Sequence, residues 1–218
     1  MEIEKLNEEN IKTLLTKLLK RSPISYGKYE ASVNEIIGNV RENGDKAVFE
    51  LEKKFDKVDL NPQNIRVTKE EIDEAYTKVD EKLLTVIRKS LKNIRALHEK
   101  QKQNSWFTTD EQGIFLGQKV TPIAIAGVYV PGGKAVYPSS VLMNIVPAKV
   151  AGVPRIVMCT PPGPDGKVYP STLVAANEAG ADEIYKVGGA QAIAAMAFGT
   201  ESLPKVDKIV GPGNIYVA

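Results

Sequence analysis

Apolar residues in the first half of the chain recur at three- and four-residue spacing, which is the spacing of helices with one buried face. The pattern covers residues 11–19, 33–55 and 70–101, where Lys and Glu fill many of the positions between the apolar ones. Gly44 and Asp45 interrupt the second run, and such a pair predicts a break between two helices. We therefore predict helices in all three ranges, with a break inside the second.

Two shorter stretches in this half predict extended structure. Residues 64–71 read as a short strand that runs into a helix, because Thr68 followed three residues later by Glu71 has the spacing of a capping box. Residues 105–123 predict a β-hairpin whose turn is Asp-Glu-Gln-Gly at residues 110–113.

From Pro122 onwards, apolar strands alternate with glycine-containing turns and helices rich in small residues. The predicted strands are residues 123–130, 155–160, 182–187 and 207–210, and the predicted helices are residues 141–152, 171–180 and 190–199. Strands and helices that alternate at this length predict right-handed βαβ units and a parallel sheet. Nearly unbroken apolar strands indicate a sheet covered on both faces. We therefore predict an α/β domain over residues 122–218, preceded by a mainly helical α+β domain over residues 1–121.

Composition excludes several classes of protein. The 218 residues include 29 Lys and Arg and 27 Asp and Glu, and the net charge of +2 gives no sign of a nucleic-acid or membrane-surface partner. No apolar run approaches the roughly 20 residues that span a bilayer, and the acidic, polar start of the chain is not a secretory signal. One cysteine, Cys159, excludes an internal disulfide and fits a reducing cytoplasm.

The common catalytic motifs HExxH and GxSxG are absent from the sequence, as are Cys/His clusters. The one histidine, His98, stands beside Lys and Glu in a helical pattern, so we expect a solvated surface residue, with a proton-transfer or metal role as the alternative. Asp207 and Glu178 have no partner at a recognisable catalytic spacing. The motifs alone therefore identify no catalytic or metal-ligating residue in this sequence.

Glycines mark three of the turns that follow predicted strands: Gly132-Gly133, Gly188-Gly189 and Gly211–Gly213. In a parallel sheet such turns lie at the carboxyl edge, where ligands bind and helix starts favour phosphate. The alternative is that glycine is needed only to turn the chain. Neither GxGxxG nor GxxxxGK[ST] is present, and the spacing around Lys134 is wrong for a P-loop. Three such turns at one sheet edge nevertheless favour a nucleotide site.

Three polar residues near these turns are candidate ligand contacts. Tyr129 either stacks on a base or bonds a ribose through its hydroxyl, or it packs in the core. Gln191 is either a helix cap or a ligand contact, and the same two alternatives apply to Asn214. Ser139 and Ser140 are the predicted caps of the helix after the first glycine turn.

Long stretches of the sequence resemble the histidinol dehydrogenase family. The resemblance is carried by residues 40–56, 127–162 and 188–218. It implies an enzyme of histidine biosynthesis that oxidises L-histidinol through L-histidinal to L-histidine with NAD and a bound zinc ion. It also implies a homodimer and a variant Rossmann-like domain, which agrees with the missing glycine fingerprint. On the same resemblance, Tyr129, Gln191 and Asn214 match the positions that contact NAD.

Family members are roughly twice as long as this chain, and their zinc ligands and Glu-His catalytic pair lie beyond the position of Ala218. The resemblance therefore implies the N-terminal, cofactor-binding half of a cytoplasmic enzyme, inactive by itself and with both predicted domains incomplete. One alternative is a free-standing, non-catalytic nucleotide-binding or assembly module. Another is a split enzyme whose second chain supplies the zinc site. The expected ligands are NAD and L-histidinol, without nucleic acid or membrane.

Overall fold

The computed structural model describes residues 7–19, 27–132 and 136–217. Gly133, in the first predicted glycine turn, and Lys134, which follows it, lie outside the described residues. The helices are α1 Glu8–Leu19, α2 Gly27–Phe55, α3 Lys69–Lys78, α4 Glu81–Glu99, α5 Pro138–Val150, α6 Pro170–Ala179 and α7 Gly189–Phe198. The strands are β1 Trp106–Thr109, β2 Phe115–Gln118, β3 Ile125–Tyr129, β4 Arg155–Cys159, β5 Glu183–Tyr185 and β6 Lys208–Val210. None of the helices in the described ranges has the length and apolar character that crossing a membrane requires.

The predicted parallel sheet is confirmed. Its strand order is β5-β4-β3-β6, and every neighbouring pair is parallel. The chain runs outwards from β3 through β4 to β5 and then returns to the other side of β3 to form β6. This reversal makes a topological switch point between β3 and β6, and ligands of open α/β sheets bind outside the carboxyl ends of the strands at such points.

Helices cover both faces of the sheet, as the apolar strands predict. Alternate residues of β4 point to opposite cores: Val157 and Cys159 pack with residues of α2 and α7, whereas Ile156 and Met158 pack with residues of α3 to α6. Helices from before residue 122 thus complete both cores. The division into two domains at that residue stays a prediction, and the two ranges share their packing.

The predicted break in α2 is confirmed at Gly44, which has φ 53° and ψ −133°. The helix resumes at Asp45, whose backbone N–H donates to the Glu201 carboxylate at 2.9 Å. The Asp45 side chain in turn accepts hydrogen bonds from Ser202, through both its backbone N–H and its hydroxyl. The loop after α7 therefore caps the second part of α2, because a helix start leaves N–H groups without intrahelical partners.

The single helix predicted over residues 70–101 is wrong: the structure has two helices there, α3 and α4. Val79 is extended, with φ −99° and ψ 130°, and the Asp80 side chain accepts the Leu83 N–H at 2.8 Å as the N-cap of α4. Asp is among the preferred N-cap residues, so the chain has a local reason to restart the helix at this point. The predicted capping box of α3 is confirmed, with Thr68 and Glu71 bonded reciprocally.

The extended segment predicted before α3 pairs with β5 as an isolated antiparallel bridge between Arg66 and Tyr185. The predicted hairpin is confirmed as β1 and β2, which pair antiparallel around a turn in which the Gly113 N–H donates to the Asp110 carbonyl. Both hairpin strands are exposed along their whole length, and the Phe107 and Phe115 rings stack at 5.2 Å.

The capping roles predicted for Ser139 and Ser140 are wrong. Helix α5 begins at Pro138, its N-cap residue is Tyr137, and no side chain caps it. Proline suits the first helical position, since its fixed φ is helical and its missing N–H would have no intrahelical partner there. Both serines therefore lie inside the first turn.

Candidate functional site

A cleft of about 450 Å³ opens at the carboxyl edge of the sheet, within the size range of small-molecule sites. The ends of β3, β4 and β6 and the start of α7 after β5 all contribute to it, and α2 forms a further wall. Its lining residues are Ser32, Ile36, Phe55, Asp56, Tyr129, Pro131, Gly132, Pro161, Pro162, Gly189, Ala190, Gln191, Asn214 and Tyr216. The cleft therefore lies at the topological switch point of the fold.

Tyr129, the last residue of β3, lines the cleft and also belongs to the core, with 4% of its surface exposed. Its hydroxyl oxygen accepts the Gly189 backbone N–H at 3.1 Å. Burial raises the pKa of the phenol, so the hydroxyl keeps its proton at neutral pH. Because that proton is not used in the bond from Gly189, Tyr129 can still donate to a ligand in the cleft.

Gln191 lies in the first turn of α7 with only 2% of its surface exposed. Its Nε2 donates to Glu52 Oε1 at 2.8 Å. The helix-capping alternative for Gln191 is wrong, since Gly188 is the N-cap of α7 and no side chain caps the helix. Glu52 therefore fixes the side-chain amide of Gln191, which also lines the cleft.

Asn214 lies in the loop after β6 and also lines the cleft. Its side-chain Oδ1 accepts the Tyr216 N–H at 3.0 Å, and its carbonyl accepts the Val217 N–H at 2.9 Å, so it starts a turn. The Tyr216 ring then meets the Tyr29 ring of α2 edge to face at 5.1 Å. The turn thus ties this wall of the cleft to α2.

Gly211, directly after β6, allows the chain to pass very close to the end of β3. It has φ 142°, and a Cβ at this position would collide with the Tyr129 backbone carbonyl. Only glycine permits so close an approach of two backbones. The structure therefore brings all three residues predicted from the sequence, Tyr129, Gln191 and Asn214, to one cleft, and their contact with a cofactor stays a prediction.

Glu52, which the sequence pattern did not single out, lies on α2 beneath the cleft and is fully buried. Its Oε1 accepts two hydrogen bonds, from the Gly188 backbone N–H at 3.0 Å and from Gln191. Its Oε2 is buried and has no hydrogen-bond partner among the described residues. Burial raises the pKa of this carboxyl group to about 8. The hydrogen bonds from Gly188 and Gln191 oppose that shift, and the neighbouring Asp56 carboxylate adds to it.

The helical periodicity of the sequence does indicate that Glu52 is buried. Val48 lies one turn before it on the buried stripe of α2, so Glu52 falls where an apolar residue is expected. Asp56 follows one turn later, lines the cleft, and has its pKa raised by burial. Lysines 53 and 54 next to Glu52 made the segment look like a solvated helix face.

Residues singled out as possible proton carriers or metal ligands lie elsewhere. His98 is partly buried at the end of α4, and its Nε2 is shielded from solvent. The prediction that His98 is a solvated surface residue is therefore wrong. Cys159 is fully buried, and burial raises the pKa of its thiol. Asp207 accepts the Ile125 N–H at 2.7 Å, and Glu178 pairs with Arg88 at 2.8 Å. Within the described ranges, no group of three or more His, Cys, Asp or Glu residues could hold a metal ion.

Known proteins of one family match this chain. A family model described as histidinol dehydrogenase matches residues 19–218. Histidinol dehydrogenase of Clostridium acetobutylicum is 60% identical over 187 residues, which cover 86% of this chain and 43% of that protein. The Bacillus subtilis enzyme is 58% identical over 202 residues, 92% of this chain and 47% of that protein. The Aquifex aeolicus enzyme is 53% identical over 220 residues, 100% of this chain and 50% of that protein.

A solved structure extends the similarity to the fold. The crystal structure of histidinol dehydrogenase from Elizabethkingia anophelis matches with a TM-score of 0.81 and 41% identity, over 86% of this chain and 43% of that one. The predicted Rossmann-like α/β fold class is thus confirmed. The chain spans about half the length of the curated relatives it matches. A family-model match over residues 19–218, together with 41% identity and a TM-score of 0.81 to a solved member, places this chain in the histidinol dehydrogenase family.

Proposed function

We propose that this chain supplies the NAD-binding part of a histidinol dehydrogenase, which oxidises L-histidinol through L-histidinal to L-histidine. One observation carries the proposal: Tyr129 at the end of β3, Gln191 after β5 and Asn214 after β6 line one cleft at the switch point of the sheet. NAD, when bound, supplies the hydride acceptor of the reaction. The residues of this chain would bind and orient it.

The polar side chains of the cleft would each contribute differently to the binding of NAD. Tyr129 has a hydroxyl proton to donate to a cofactor oxygen, because its oxygen already accepts from Gly189. Gln191 is held by Glu52, so an interaction with its amide would require little ordering on binding. Prolines 131, 161 and 162 line the cleft with rigid apolar surface, which suits a base or nicotinamide ring.

The remaining properties of the complete enzyme belong to the same proposal. We assign zinc and the proton-transferring residues to sequence beyond the matched half, as the family resemblance implies, since the chain covers 43% of the Clostridium acetobutylicum enzyme. The homodimer, the binding of L-histidinol and a cytoplasmic location come with the family resemblance. No chemical step is assigned to residues 1–218.

The first test is calorimetric titration of the chain with NAD. We expect binding that becomes about tenfold weaker in Tyr129→Phe and in Asn214→Ala, because each loses a hydrogen bond worth about 1–1.5 kcal/mol. Tyr76→Phe is the matched control: its hydroxyl bonds Glu178 at 2.9 Å on the α3–α6 side of the molecule, away from the cleft. Equal loss in the control, or no binding of NAD, would favour a non-catalytic module of another kind.

The second test concerns the reaction. This chain replaces the matching segment of Bacillus subtilis histidinol dehydrogenase, and histidinol-dependent NADH formation is measured with zinc present. We expect turnover by the chimera, a kcat/KM for NAD about tenfold lower in the chimera carrying Asn214→Ala, and no turnover by the isolated chain. Turnover by the isolated chain would contradict the assignment of catalysis to the other half.

A further inference from the structure

Glu52 connects α2 to the part of the cleft where a helix begins. Its Oε1 accepts the Gly188 N–H and also the side-chain N–H of Gln191, in the first turn of α7. The next N–H along the chain, that of Gly189, donates to Tyr129. One side chain from α2 and one from β3 therefore fix the turn on which α7 starts.

The charge of Glu52 matters to any anion bound at this turn. A helix N-terminus carries a partial positive charge and favours phosphate groups. An ionised carboxylate directly beneath it would cancel that field and repel the anion, whereas a neutral carboxyl group would keep the two hydrogen bonds and leave the field intact. The fully buried position of Glu52 opposes the ionised form, because burial of a charge is costly unless it is paired.

The surroundings of Glu52 offer no compensating cation. The titratable groups that face it are Asp56 from its own helix, Tyr129 from β3 and Cys159 from β4. All three are neutral or negative. Oε2 has no hydrogen-bond partner among the described residues, so it is the oxygen able to carry a proton, and the neighbouring Asp56 carboxylate further favours that proton. Among the described residues, no Lys or Arg shifts the pKa of this group.

We propose that Glu52 is a positioning residue of the cleft, which in its neutral form holds the Gly188 turn and Gln191 for the anionic part of NAD. Binding of NAD at alkaline pH would then be accompanied by uptake of one proton at Glu52. This inference rests on the proposed function, since NAD supplies the anion. It assigns to the first half of the sequence a residue that controls the cofactor site through pH.

The experiment is titration of the chain with NAD between pH 6 and pH 9, in two buffers with different enthalpies of ionisation. We expect the wild-type Kd to be constant at low pH and to rise about tenfold per pH unit once Glu52 ionises, because one proton is taken up per NAD bound. The buffer dependence of the binding enthalpy reports the same proton directly.

Substitutions of Glu52 distinguish a role in positioning the cofactor site from a purely structural role. Glu52→Gln keeps the Oε1 acceptor and cannot ionise, so we expect a constant Kd up to pH 9 and no proton uptake. Glu52→Ala removes the acceptor and should bind more weakly at every pH, also without pH dependence. Glu50→Gln, an exposed position on the same helix, is the matched control and should keep the wild-type profile.

Each other outcome overturns the inference. Wild-type binding without proton uptake at alkaline pH would overturn it without reference to any variant. An unchanged pH profile in Glu52→Gln would overturn it as well, and a profile abolished by Asp56→Asn but not by Glu52→Gln would move the proton to Asp56. Absence of NAD binding by the wild-type chain at every pH would instead reject the proposed function, and this inference with it.

Discussion

The carboxyl group of Glu52 links the stability of the folded chain to pH. In the unfolded chain it has its ordinary pKa of 4.5, whereas in the folded chain burial raises that pKa to about 8. Between those values the folded chain keeps a proton that the unfolded chain has released. The folded state is therefore favoured at low pH within this window, and the advantage is lost as pH rises towards about 8.

We predict that Glu52→Gln removes this dependence. The wild-type free energy of unfolding should fall by up to about 1.4 kcal/mol per pH unit between about pH 5 and pH 8 through this group, because one proton is released on unfolding. The variant should lack that part of the slope, measured by urea unfolding across the window. Glu50→Gln, which alters an exposed carboxylate of α2, should keep the wild-type slope. Parallel pH curves for wild type and Glu52→Gln would contradict the prediction.

Some residues of the cleft could be predicted from the sequence, and others could not. Tyr129 and Asn214 could be found because glycines mark the ends of β3 and β6, and parallel topology brings strand ends together. Glu52 could not be assigned, since its partner Gly188 is 136 positions away and only the folded chain brings them together. Periodicity shows that a residue is buried, but it does not show what the residue contacts.

At the scale of elements, α2 is shaped by its break at Gly44. That residue has φ 53°, a conformation that favours glycine, and a Cβ there would lie 2.5 Å from the Glu201 carboxylate. The same carboxylate caps Asp45, so the break is also the point where α2 is fastened to the loop after α7.

We predict opposite effects for two glycine substitutions in this one helix. Gly44→Ala should lower the free energy of unfolding by about 1–3 kcal/mol, because of its strained φ and the displaced Glu201. Gly38→Ala should raise it by about 0.5–1 kcal/mol, since Gly38 is helical and has open space around it. Urea unfolding of both variants provides the comparison. Stabilisation by Gly44→Ala would show that the break has no structural role.

Helix boundaries illustrate what local patterns decide. The break at Gly44 and the capping box at Thr68 were predictable, because each depends on neighbours within a few residues. The restart at Asp80 was missed, since the apolar period continues across it and a single polar residue looks like any solvated position. Competition between a cap and a continuing helix is settled by packing, in this case of α4 against α5 and α3 against α6.

At the scale of the whole molecule, the sheet depends on helices from the first half of the chain. Ile36, Val40 and Val48 of α2 pack in the same core as Val157 of β4 and Met196 of α7. Amphipathic periodicity predicted the apolar face of α2, but it could not show that the sheet is what covers it. The surface charges of the first half gave the impression of an independent unit.

We predict that residues 122–218 do not fold cooperatively when expressed alone. Removing α2 would expose the core on the α7 face, and apolar surface of that size is costly in water. The measurements are urea unfolding and binding of a dye that reports exposed apolar surface. As a control, insertion of two glycines into the exposed Asp110–Gly113 turn of the otherwise complete chain should leave folding cooperative. A sharp, dye-free transition for residues 122–218 would establish an independent domain.

The cleft also has a consequence for the order in which the molecule folds. Its walls come from positions as distant as Ser32 and Asn214, and β6 must come to lie beside β3 before they face each other. Contacts between such distant positions form slowly, because long loops must close before the contacts stabilise them. The helices can form early from local interactions, whereas the cleft is among the last features completed. Recovery of a competent cleft during refolding would therefore report the arrival of the final strand more directly than recovery of helix content.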